Sequence, residues 1–133
     1  MRRNLGSIPR AVIGAGVLLP FAIGCGYPDG LAGVTGTVRL DGKPLAGAQV
    51  QFTVEGQPPS LGRTDDNGYY ELRRTRSVSG AAIGMNEVKV STFRDLGDRI
   101  LPETLPARYN TRSQLVYDLK AGSNQIDLEL TSR

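Results

Sequence analysis

Histidine and tryptophan are missing from this chain of 133 residues, and cysteine occurs once, at Cys25. Without imidazole there is no side chain of ordinary pKa near neutrality to shuttle protons. With one thiol there is no internal disulfide and no Cys/His zinc set. Charge of one sign is also scarce. The formal charge is +3, but Arg2, Arg3 and Arg10 stand in an N-terminal stretch without an acid, and the remaining basic and acidic side chains balance at thirteen each. A balanced body has no electrostatic footprint for a phosphate backbone, so nucleic acid is not an expected partner. Long apolar runs are lacking too. The longest, AVIGAGVLLPFAI at residues 11–23, has 13 residues, short of the roughly 20 that span a bilayer as a helix.

What is present at the N-terminus has the order of an export signal: basic MRRNLGSIPR, the apolar run, then Ala22-Ile23-Gly24-Cys25. Those four residues resemble a bacterial lipobox, with Ala22 where Leu is commoner. The resemblance implies diacylglycerol on the Cys25 sulfur, cleavage before it, and further acylation such as palmitate. Residues 1–24 are therefore expected to be a signal peptide and 25–33 a lipidated tether, holding a cell-envelope protein on a membrane it does not cross. Gly26 is not the Asp associated with inner-membrane retention in some bacteria, which points to the outer membrane or a periplasm-facing site. Nine residues from Cys25 to Val34 extend to at most about 30 Å.

Beyond the tether the pattern is period 2. Val34, Gly36, Val38 and Leu40 alternate with Thr35, Thr37 and Arg39; Val50, Phe52 and Val54 alternate with Gln49, Gln51 and Thr53. Between them Asp41-Gly42-Lys43-Pro44 forces a reversal. A second turn cluster, Asp65-Asp66-Asn67-Gly68, precedes inward Tyr70 and Leu72 and outward Tyr69, Glu71 and Arg73. Val88 and Val90, then Leu115, Tyr117 and Leu119, then Ile126, Leu128 and Leu130 continue the alternation, with AGSN joining the last two runs as a hairpin. EGQPPSLG at 55–62 reads as a surface loop and residues 73–84 as a connection. Seven short strands and no long helical period give an all-β, seven-stranded antiparallel sandwich of Greek-key type over residues 34–131.

The order Gly36-Thr37-Val38, Asp41-Gly42-Lys43-Pro44-Leu45-Ala46-Gly47-Ala48, Val50-Gln51-Phe52, Thr64-Asp65-Asp66-Asn67-Gly68 and Tyr70-Glu71-Leu72 resembles the carboxypeptidase-regulatory-like (transthyretin/prealbumin-like) domain. The resemblance implies that family's sandwich and very little about a reaction. The hydroxyisourate hydrolases sharing the fold have a histidine cluster and a tyrosine-rich C-terminal tetrapeptide, whereas this chain has no histidine and ends Thr131-Ser132-Arg133. No enzymatic activity and no cofactor are expected.

Residues 94–113 fit no strand. Long segments of this kind either work or close a fold. Two roles are open: a crossover with Leu101, Leu105 and Tyr109 packed as lids, or a ligand or partner surface of Arg94, Arg99, Arg108, Tyr109 and Arg112, with Tyr69 on an outer strand face. The acidic turn at 65–68 has only fragments of a calcium loop, and a tight turn with Gly68 at positive φ accounts for the same residues, so no metal is expected. The reading is a non-catalytic, lipid-anchored structural or protein-interaction module with an unknown envelope partner. Its alternative is a polysaccharide- or peptidoglycan-binding module using the 94–113 loop.

Overall fold

The computed structural model describes residues 26–133; residues 1–24, expected to be a signal peptide, and Cys25 lie outside the described residues. Twelve strand segments follow in chain order: β1 (Leu31–Leu40), β2 (Lys43–Pro44), β3 (Gln49–Thr53), β4 (Ser60–Arg63), β5 (Tyr69–Glu71), β6 (Ala81–Ala82), β7 (Gly84–Ser91), β8 (Arg94–Asp95), β9 (Ile100–Leu101), β10 (Leu115–Leu119), β11 (Ser123–Gln125) and β12 (Leu128–Leu130). A single turn of 3-10 helix at Ala107–Tyr109 precedes β10. Several segments are only two or three residues long, because strands that bend or bulge are broken into pieces.

β1 is the axis of the first sheet. Its LAGVTGTVRL sequence buries Ala32, Val34, Gly36 and Val38 on one face. One edge of β1 pairs antiparallel with β6, β5 and β2 in turn. The other edge pairs with β11 and β12, and both run parallel to it. Between these two the chain bulges. Asp127 Oδ1 accepts the Thr37 N–H at 2.9 Å, and the Ile126 N–H donates to the Thr35 carbonyl at 2.8 Å. The Ile126 carbonyl presses onto Gly36, where a Cβ would lie 1.9 Å from its oxygen, so this position takes no side chain. The Tyr70 hydroxyl donates to the same carbonyl at 2.7 Å. Burial, then the nearby Asp127 and Tyr117, hold that phenol well above its ordinary pKa, so it stays a donor.

The second sheet has the order β10-β7-β3-β4, all antiparallel. Val34, Val38, Tyr70, Leu72, Leu128 and Leu130 from the first sheet meet Val50, Phe52, Val88, Val90 and Leu119 from the second in one buried cluster. This is the two-layer sandwich that period-2 patterning implies. Phe52 and Tyr117 stack with centroids 6.3 Å apart.

The structure departs from the sequence reading in five places. The AGSN hairpin does not form. β10 lies in the second sheet and β11 in the first, so the chain crosses over there and the first sheet is mixed. Asn124 holds the crossing by donating to the Gly33 and Lys120 carbonyls at 3.1 and 2.9 Å. Alternation at 115–119 and 126–130 is the same whichever sheet each joins, so periodicity does not reveal the switch. Residues 60–63, read as loop, are β4; the buried residues there are Ser60 and Thr64 while Leu61 is exposed, which inverts the hydrophobic signal. Within the 73–84 connection, Ala81 and Ala82 are buried as β6. Residues 31–33, counted with the tether, open β1. In residues 94–113, β8 and β9 pair as a ribbon, and of the three expected lids only Leu105 and Tyr109 are buried, whereas Leu101 is exposed.

The tether itself is folded onto the domain. The Leu31 N–H bonds to the Pro28 carbonyl at 3.0 Å, the Ile83 N–H to the Gly30 carbonyl at 3.0 Å, and the Tyr27 ring covers Gly33. The end formed by residues 26–31, Ile83 and residues 121–123 is thus the one at which the chain enters from Cys25.

Candidate functional site

Three shallow depressions adjoin at the other end of the second sheet. The largest, with a volume of about 490 Å³, lies along β4 and β5 and is lined by Gln49, Leu61, Gly62, Arg63, Asp65, Tyr69, Tyr70, Glu71 and Arg73. The two segments are tied at one end by reciprocal bonds of 2.9 Å between Leu61 and Arg73 and at the other by the Asp65 N–H on the Tyr69 carbonyl at 2.9 Å. A second depression, about 170 Å³, shares Gln49 and adds Gln51, Lys89, Ser91, Asn110 and Thr111. The third, about 350 Å³, is lined by Gly47, Thr92, Arg94 and Leu101 among others. It is joined to the first through Arg63, whose Nη1 donates to the Gly47 carbonyl at 2.9 Å.

Strand alternation explains why these side chains gather. Gln49 and Gln51 on β3 and Lys89 and Ser91 on β7 share the outward face. Tyr69 on β5 is 46% exposed because Tyr70 takes the inward position. The turn before it is built on Asp65, whose Oδ1 accepts the Asn67 and Tyr69 N–H groups at 2.8 and 3.0 Å. Gly68 has φ +78, and a Cβ there would meet the Val38 carbonyl at 2.6 Å, so a turn residue free of Cβ is required.

Electrostatically the cleft is uneven. Glu71 is paired with Arg73 at 3.9 Å and Lys89 with Glu87 at 3.8 Å. Among the described residues, neither Arg63 nor Arg94 has a carboxylate within salt-bridge distance. Desolvation, and then the positive charge of Arg94, lower the pKa of Arg63 from its ordinary value, which leaves it a cation at any physiological pH.

The candidate residues of the long segment are not brought together. Arg94 borders the cleft, and Arg99 sits at the exposed turn of the β8–β9 ribbon, where its carbonyl accepts the Leu96 N–H at 2.9 Å. Arg108 and Tyr109 instead clamp the last residues of the chain. Arg108 Nη2 donates to the Thr131 carbonyl at 2.8 Å and to the Arg133 oxygen at 2.6 Å, while its guanidinium lies 4.8 Å from the Tyr109 ring centroid. The Tyr109 oxygen accepts the Thr131 N–H at 3.0 Å. Burial raises the Tyr109 pKa, but the bonds from Thr131 and the Arg108 charge outweigh it and set it lower than usual. Arg112 is exposed and its N–H caps the 3-10 turn on the Ala107 carbonyl.

Glu103 had no signal in the sequence and is the residue that fixes the segment. Its carboxylate accepts from Ser91 Oγ at 2.5 Å, from the Thr92 N–H and Oγ1 at 2.8 Å each, and from the Leu105 N–H at 3.2 Å. Burial pushes its pKa up, and these four donors more than reverse that, holding it low. A half-buried acid flanked by two prolines gave no period and no partner at fixed spacing.

The family model for the archaeal bacterial Ig-like domain matches residues 15–101, more than half of the chain. The chain belongs to that family, a class of Ig-like β-sandwich domains. Among solved structures, a DUF3823 family protein from Parabacteroides merdae is similar at 15% identity and a TM-score of 0.48, over 77% of this chain and 46% of that one. A 9R-lipoxygenase from Cyanothece matches at 17% identity and a TM-score of 0.40, over 77% of this chain and 16% of that enzyme. The chain therefore spans less than half the length of either. No curated protein matches.

Proposed function

We propose that this Ig-like sandwich is a non-catalytic module of the bacterial cell envelope, held on a membrane by lipid on Cys25 and presenting its far end to an envelope partner. The observation that carries the reading is how the polar groups are used. Asp65, Glu103, Arg108, Tyr109 and Asp127 all bond to backbone, which is the work of holding loops and a bulge. The turn order through 36–72 supports the carboxypeptidase-regulatory-like variant of the sandwich, a resemblance that by itself implies no reaction. The lipobox-like Ala22-Ile23-Gly24-Cys25 supports the anchor, and Gly26 in place of Asp supports an outward-facing location.

With residues 26–30 folded against the domain, the leash is shorter than the nine residues counted from sequence. The domain would then stand with residues 26–31 and 121–123 against the headgroups. Mass spectrometry of the protein from its native membrane tests the proposal. The expected species begins at Cys25 and carries two or more acyl chains, and Cys25→Ser should be released into the soluble fraction. An intact N-terminus with an unmodified thiol would remove the anchor. Turnover in a broad hydrolase screen would remove the non-catalytic assignment.

A further inference from the structure

From the cleft at the end remote from the N-terminal entry, we propose that the protein binds an acidic polysaccharide there, with a uronic-acid carboxylate between Arg63 and Arg94 and a neighbouring sugar ring on Tyr69. This goes beyond the anchored-module reading and holds whether or not Cys25 carries lipid.

The arrangement divides into two halves with complementary chemistry. At one half, Arg63 and Arg94 flank Gly47, and neither is neutralised by an acid among the described residues. Two guanidiniums side by side repel unless an anion lies between them, and a planar carboxylate fits the guanidinium fork. At the other half, Tyr69 offers a half-exposed ring in the 490 Å³ depression, beside the carboxylates of Asp65 and Glu71. Aromatic faces stack on the apolar faces of sugars, and carboxylates accept from hydroxyls. Gln49 lines the first depression beside Arg63, whose Nη2 lies 3.5 Å from its Oε1, and adds an amide to that side. An acidic peptide would place its charges against Asp65 and Glu71 as well as against the arginines. A glycan with one carboxylate per sugar and several hydroxyls matches both halves.

The test is calorimetric titration of the full chain in mild detergent with hexagalacturonate, cellohexaose and poly-glutamate. Saturable binding of hexagalacturonate is expected, at least about tenfold tighter than of either other probe and weakened by added salt. Arg94→Gln and Tyr69→Ala should each reduce the affinity about tenfold, while Arg76→Gln, in the 73–79 loop, should leave it unchanged. Arg63→Gln also removes the bond to Gly47, so Arg94→Gln, which touches no backbone bond, decides the matter. Absence of saturation, equal affinity for cellohexaose or poly-glutamate, or an equal loss in Arg76→Gln would each overturn the assignment.

Discussion

Replacing Glu103 by alanine removes the carboxylate that, beside the Thr92–Thr104 bonds, ties residues 91–92 to 103–105, and the effect can be worked out from the geometry. Two backbone N–H groups and two hydroxyls lose a charged acceptor. Bonds to a charged group contribute about 1.5–3 kcal/mol each when dry, but this carboxylate is half-exposed and water can replace part of what is lost. A net cost of about 2 kcal/mol follows, or a fall in melting temperature of about 8 °C for a domain of this size. Since the folded-state pKa of Glu103 is below its usual value, its contribution is complete above about pH 5 and is lost as the pH falls through the folded pKa. Differential scanning calorimetry of wild type and Glu103→Ala at pH 7 and pH 3 should show the gap at pH 7 and a smaller gap at pH 3. Hydrogen exchange should speed up first at Thr92, Thr104 and Leu105. A gap that persists unchanged at pH 3, or a variant that melts with wild type at pH 7, would refute the assigned role.

Gly68→Ala puts a Cβ against the Val38 carbonyl at a positive φ, and a loss of about 2–3 kcal/mol in urea unfolding is expected. Tyr70→Phe leaves the Ile126 carbonyl without its hydroxyl donor and should cost about 1–2 kcal/mol by the same measurement. In Arg108→Ala, amide exchange at Thr131, Ser132 and Arg133 should accelerate while the β1 amides keep their protection. Lengthening the tether by ten Gly/Ser residues after Gly26 should increase proteolytic access to residues 26–31 without lowering the melting temperature by more than about 0.5 kcal/mol equivalent.

The core strands were legible because their burial follows the side-chain period. Val34 and Val38, Val50 and Phe52, and Tyr70 and Leu72 each alternate with polar residues and each face inward. β4 was not legible because serine and glycine take its inward positions, with buried Thr64 just beyond, while Leu61 faces outward. Nor was the crossing after Leu119, since alternation records which face is buried and says nothing of which strand lies alongside. Of the candidate site, Tyr69 and Arg94 border the cleft, but Gln49 stood in the sequence as an ordinary outward residue and Arg63 carried no signal. What gathers them is the pairing of β3 with β4, which sets Gln49 opposite Arg63, and the approach of β5 from the other sheet, and no local spacing encodes either. Arg108 and Tyr109 look like a ligand-gripping pair on paper; their actual partners lie more than twenty residues downstream.

The parallel pairing of β1 with β11 and β12 has a consequence for biogenesis. Thr37 and Asp127 are 90 positions apart and share a bond, so a chain emerging from its N-terminus must leave its first strand half-zipped until almost the last residue has arrived. Such non-local closure is slow and exposes unpaired ladder groups in the interval. A protein of this topology is at its stickiest midway through delivery, and it is the arrival of the tail that ends the danger.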